Sequence, residues 1–128
     1  ARADAIAHPP SRFIALTYIA RARAIAGYDN KAYTTAAGIE NRDMRNKAYG
    51  AIAEAQAKAG RIKALITSLG RINDTGYRNR QRKTTAKILA RNNNMKAARR
   101  IAATIEGNAL LKAKALQTLL NKMMKQSK

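Results

Sequence analysis

The sequence predicts an all-α protein of long amphipathic helices, helix-bundle-like, with an extended N-terminal arm and with stability drawn partly from assembly. Three observations carry this. Of 128 residues, 28 are Ala, none is Val or Trp, and only 1 is Phe, a composition that favours helix but removes little apolar surface from water. Apolar residues recur at helical spacing across 41–69. Proline, glycine and asparagine breaks fall between the periodic stretches, while neither strand alternation nor an internal repeat appears.

Pro9-Pro10 blocks helix, so residues 1–10 read as an extended arm leading to an N-cap at Ser11. A first helix spans about 12–26 and stops at Gly27. At 100° per residue its Phe13, Ile14, Leu16, Tyr18, Ile19 and Ile25 surround the whole circumference. A helix apolar on all sides must be covered on several sides, and neighbouring subunits are the expected cover. Residues 28–39 make a turn and a short helix, with Gly38 as a break.

From 41 to 69, Met44, Ala48, Ile52, Ala55, Ala59, Ile62, Ile66 and Leu69 form a continuous seam, which reads as one long helix. Its other face carries a stripe of small residues, Asn46, Gly50, Ala53, Ala57, Gly60, Ala64 and Ser68. Each glycine costs a helix about 1 kcal/mol against Ala. Close approach by a packed helix or a phosphate backbone explains that cost; the alternative is a break at Gly60 giving two shorter helices. Asn73, Asp74 and Thr75 then offer caps for a helix over 76–91. Asn92-Asn93-Asn94 makes a turn, 95–106 a short helix closed by Gly107, and Asn108 caps a last helix to about 125.

Lys and Arg number 26 against 7 Asp and Glu, a net charge of +19. Such a field repels its own copies and attracts polyanions. Duplex DNA carries one charge per 1.7 Å of axis, so nineteen matched charges neutralise roughly 32 Å of duplex. The charge is uneven: residues 76–128 hold 14 bases and Glu106 alone as acid, leaving 12 bases and 6 acids before them. Arg80, Lys83, Lys87 and Arg91 share one helical face, while Arg78 and Arg82 project from nearly the opposite side. A helix with cations on both sides is expected to lie between phosphate strands rather than in a core. Lys96, Arg99 and Arg100 form a basic face opposite Met95, Ala98, Ile101, Ala102 and Ile105. The last helix is expected to bury Leu116, Leu119, Leu120 and Met123 and to expose Lys114, Asn121 and Lys125.

The inventory argues against catalysis. His8 is the only histidine and lies in the arm; Glu40 and Asp43 sit among Arg42, Arg45 and Lys47, as helix-start electrostatics would place them. No Gly-rich phosphate loop or metal-ligand spacing is present. No catalytic residue, metal, cofactor or small-molecule substrate is therefore expected. The absence of Cys excludes disulfides and thiolate metal sites. The apolar run 13–20 is too short to span a bilayer, and the scarcity of Phe and Trp argues against attachment to its surface.

Through its arm, its all-round apolar first helix, its long 41–69 segment and its basic 78–100 segment, the chain resembles the major capsid proteins of filamentous archaeal viruses. Those are small, Cys-free helical subunits whose paired copies wrap double-stranded DNA in the A form. The resemblance implies a virion protein that coats duplex DNA without sequence specificity, in a homo- or hetero-oligomeric assembly of many subunits. A ribosomal or other ribonucleoprotein component binding structured RNA, within an intracellular particle, is the alternative. The candidate phosphate contacts are Arg12, Arg21 and Arg23 on the first helix, then Lys58 and Arg61. In the basic half they are Arg78, Arg80, Arg82, Lys83, Lys87, Arg91, Lys96, Arg99 and Arg100. Arginine forks grip phosphate oxygens bidentately, and no base-reading motif accompanies them. Tertiary organisation is expected to divide into 11–70 for assembly and 71–128 for binding, within one structural unit.

Overall fold

The computed structural model describes residues 8–107 and 109–126. Among them are seven α-helices and no strand: α1 (Pro9–Ile25), α2 (Asp29–Ala37), α3 (Arg42–Ala59), α4 (Ile62–Gly70), α5 (Thr75–Arg91), α6 (Met95–Ala103) and α7 (Ala109–Gln126). The all-α expectation holds. Long and short helices alternate, and their starts keep step: α1, α3 and α5 begin at 9, 42 and 75, and α2, α4 and α6 at 29, 62 and 95. The chain is therefore three helical hairpins of 33 residues each, followed by a fourth long helix. The absence of an internal repeat, expected from the sequence, is corrected by this geometry.

The repeat is carried by side-chain size at fixed places rather than by residue identity over long runs. In the long helices Ala20, Ala53 and Ala86 are buried at one place, and Ala24, Ala57 and Ala90 one turn later. Ala36, Leu69 and Ala102 in the short helices and Ile39, Ile72 and Ile105 just after them are also buried. Gly27, Gly60 and Asn93 each follow a long helix with φ of 90°, 74° and 63°. That left-handed turn folds each hairpin, and Gly and Asn are the residues that enter it at least cost.

Polar links repeat with the same step. The Arg45 guanidinium donates to the Ile39 carbonyl at 3.0 Å and that of Arg78 to the Ile72 carbonyl at 2.8 Å. The amide oxygen of Asn46 accepts from the Asn73 backbone N–H, and that of Asn79 from the Glu106 N–H, each at 2.9 Å. Asn41 and Asp74 cap α3 and α5 through their side-chain oxygens. The arginines thus tie the first and second hairpins to the start of the next, and the asparagines tie the two ends of the second and third hairpins together.

The long helices pack in sequence, α3 on α1, α5 on α3 and α7 on α5, with α2 against α3, α4 against α5 and α6 against α7. Every hairpin touches its neighbours, the arrangement of a quasi-one-dimensional stack. Gly50 shows how tight it is: a Cβ there would lie 2.6 Å from the Tyr77 hydroxyl and 3.2 Å from the Gln81 amide. At Gly50 the small-residue stripe thus receives helix α5 rather than a phosphate backbone, whereas at Gly60 it runs into the turn, where a Cβ would meet no neighbour. Its last member, Ser68, joins Gln56 and Tyr33 in a buried polar cluster, with Ser68 donating to the Gln56 carbonyl oxygen at 2.5 Å and Gln56 to the Tyr33 hydroxyl at 3.1 Å.

Four other expectations change. Residues 41–69 form two helices, because Gly60 takes the left-handed turn that closes the hairpin. The arm does not reach residue 10: Pro9 and Pro10 occupy the first turn of α1, where their missing N–H groups cost nothing, and His8 rather than Ser11 caps it. Residues 1–7 of the arm and the Asn108 cap lie outside the described residues. The short helix α6 ends at Ala103, ahead of Glu106. In α7, Leu119 and Ala115 are buried, while Leu116 and Leu120 are exposed.

Candidate nucleic-acid interface

Four places on each long helix, spaced by four, three and four residues, lie on one face of the stack. On α3 they hold Lys47, Ala51, Glu54 and Lys58, and on α5 Arg80, Thr84, Lys87 and Arg91. Lys47 and Arg80 stand one repeat apart, as do Lys58 and Arg91. Within each helix the two cations are three turns apart, about 16 Å along the axis. Packed helices lie roughly 8–10 Å from one another, so two rows of cations run across the stack.

The hollows between helices show that this face is continuous. Arg21, Ile14, Tyr18 and Ile25 of α1 share a cavity of about 460 Å³ with Lys47, Glu54 and Lys58 of α3. Lys47 meets Arg80 across a second, lined also by Asp43, Asp74 and Tyr77. Arg21, Lys47, Lys58, Arg80 and Arg91 are exposed, and neither they nor Lys87 forms an ion pair among the described residues. Burial pushes the Tyr77 phenol above its ordinary pKa against the hydrogen bond from Gln81, which pulls it down, so the group is a neutral hydroxyl at the edge of this surface.

Other candidates from the sequence are engaged by partners within the protein, although Arg23 among them stays exposed. Arg82 donates to Glu106 at 3.2 Å and Arg78 at 3.4 Å, and their side chains are only 12% and 19% exposed. The Arg82 hydrogen bond, helped by both positive charges, lowers the pKa of Glu106 below the usual carboxylate range. Arg61 binds the Asp29 carboxylate at 2.9 Å and the Ala24 carbonyl at 2.8 Å. Arg12 faces Glu40 at 3.7 Å, and Arg23 donates to Thr35. The expectation that cations on both sides keep α5 out of a core is corrected: Asn79, Gln81, Thr85, Ala86, Ile88, Leu89 and Ala90 are buried, and Arg78 and Arg82 fold onto Glu106 instead of projecting toward solvent.

Lys83 is half-buried on α5. Lys96, Arg99 and Arg100 are exposed on α6 and belong to the layer of short helices, with Ala98, Ile101, Ala102 and Ile105 buried beneath them as expected. Lys47 is the member of the cation rows missing from the sequence candidates. Its signal was the step of 33 residues to Arg80, legible only once the repeat is known.

Among the described residues no three His, Cys, Asp or Glu side chains gather as metal ligands, and no helix is long and apolar enough to cross a membrane. Comparison with family models, curated proteins and solved structures finds no match for this chain.

Proposed function

We propose that the chain binds nucleic acid through phosphates, without reading bases, and that in its full form it coats double-stranded DNA as a subunit of a helical virion or nucleoprotein filament. The observation that carries this is the pair of cation rows, Lys47 with Arg80 and Lys58 with Arg91, repeated across one face and forming no ion pair among the described residues. Positive charges held at regular spacing by packed helices suit a regular array of phosphates. Assembly along the polyanion is supported by apolar side chains left exposed on the outermost helices: Tyr18 and Ile25 of α1 are each 62% exposed, and Met124 of α7 is 57% exposed. Neutralisation by phosphate removes the repulsion that keeps such copies apart.

Fluorescence anisotropy with duplexes of unrelated sequence, across a salt series, tests the reading. Similar affinities with a steep salt slope, and regular filaments in electron micrographs only when DNA is present, are the expected results. Affinity governed by base sequence, or no binding at low salt, overturns it. Binding confined to structured RNA makes the protein a ribonucleoprotein component instead.

A further inference from the structure

Between α5 and α7 lies a notch of about 190 Å³, lined by Lys87, Ala90 and Arg91 on one side and Thr118, Leu119 and Lys122 on the other. We propose that it is a binding site for a tetrahedral oxyanion, a phosphate group above all, which links the last helix to the stack. Three cations line the notch and no carboxylate does. The nearest acid in sequence, Glu106, is already held by Arg78 and Arg82. Lys87 and Lys122 are half-buried, and neither pairs with an acid among the described residues.

The floor of the notch is apolar, with Leu119 2% and Ala90 3% exposed. Charges over such a floor are poorly screened, so Lys122 on α7 repels Lys87 and Arg91 on α5 across the contact that must hold α7 in place. The helix has little to set against that repulsion, since Ala115 and Leu119 are its buried apolar residues among those described. An anion with several oxygens reverses the sign of the interaction. Arg91 offers a planar fork and the two lysines three donors each, enough to satisfy a phosphate group. Thr118 adds no donor, because its hydroxyl already donates to the Lys114 carbonyl at 2.9 Å. The inference does not depend on nucleic-acid binding: a free phosphate and a backbone phosphate offer the same chemistry.

Hydrogen exchange of the α7 amides in the full chain, with sodium phosphate against sodium chloride at matched ionic strength, tests it. At phosphate tenfold above its Kd, exchange is expected to slow about tenfold relative to chloride, with sulfate acting alike. The effect is expected to vanish in Lys122→Met and, from the other helix, in Lys87→Met, both of which keep an unbranched apolar stem. Equal exchange in phosphate and chloride, or an undiminished phosphate effect in both variants, overturns the site. A short DNA duplex added in chloride identifies the source. Slowing of the same amides that is lost in Lys122→Met assigns a backbone phosphate, and slowing by inorganic phosphate alone assigns a free anion. Duplex binding measured by anisotropy is scored separately, so failure of the notch and failure of the nucleic-acid reading are told apart.

Discussion

Glu106 is the lone acid after residue 75, and two arginines and Asn79 hold its segment in place. Its carboxyl pKa is lowered in the folded state, so its pairing stabilises the protein above the ordinary glutamate pKa of about 4.3 and is lost as pH falls through the lowered value. Glu106→Gln is therefore expected to lower the melting temperature at neutral pH, with the gap from the parent closing in acid. A gap independent of pH contradicts the pairing. Asn79 makes a different kind of contact, donating to the Glu106 carbonyl at 2.6 Å and accepting from its N–H at 2.9 Å. Asn79→Ala removes both of these bonds from a buried side chain to the Glu106 backbone and is expected to cost about 1–3 kcal/mol in urea unfolding. At Gly60, with φ of 74°, Ala is expected to cost about 1–2 kcal/mol even though its Cβ meets no neighbour. A neutral result there would mean that the turn relaxes.

At the scale of the element, α5 combines two roles that its charge pattern made look incompatible. One face enters the core through Thr85, Ala86 and Leu89, and another carries Arg80, Lys87 and Arg91. Replacing Lys47, Lys58, Arg80 and Arg91 by Met is expected to weaken binding alike for unrelated duplexes and to lower the salt slope by up to about 0.9 per lost phosphate contact. Arg78→Met with Arg82→Met is expected to act mainly on stability, because those side chains sit against Glu106. The order reversed, with the second pair controlling the slope, removes the cation rows from the interface. The helices themselves were readable from local signals: Gly27, Gly38, Asn41, Asp74 and the Asn92–Asn94 run all stand at helix ends. The division of α5 was not, because burial of a face depends on which helices pack against it.

For the whole molecule, a stack whose main helix contacts join neighbouring hairpins among the described residues unfolds from its ends. Exchange is expected to be slowest in α3 and α5, around Ile52, Ala53, Thr85 and Ala86, which are buried with neighbours on both sides, and faster in α1 and α7. A single exchange free energy along the chain contradicts this and points to one cooperative core. Across the expected assembly and binding regions runs one repeating unit, in which each long helix contributes to both packing and surface. The charge of +19 remains the strongest reason to expect an anionic partner. Its arrangement in rows is a property of the stack.

The sequence by itself determined the helices apart from the break at Gly60, most of their ends and the sign of the protein's own charge, because alanine content, caps, glycine turns and net charge act locally or add along the chain. Only the tertiary structure decided which cations are free. Arg78 and Arg82 look identical in sequence to Arg80, yet the returning segment at Glu106 engages the first two through one shared carboxylate and leaves the third exposed. The repeat lay between these cases. Its step is present in Ile39, Ile72 and Ile105 and in Gly27, Gly60 and Asn93, but the places that packing constrains are few, and all the residues between them are free to differ.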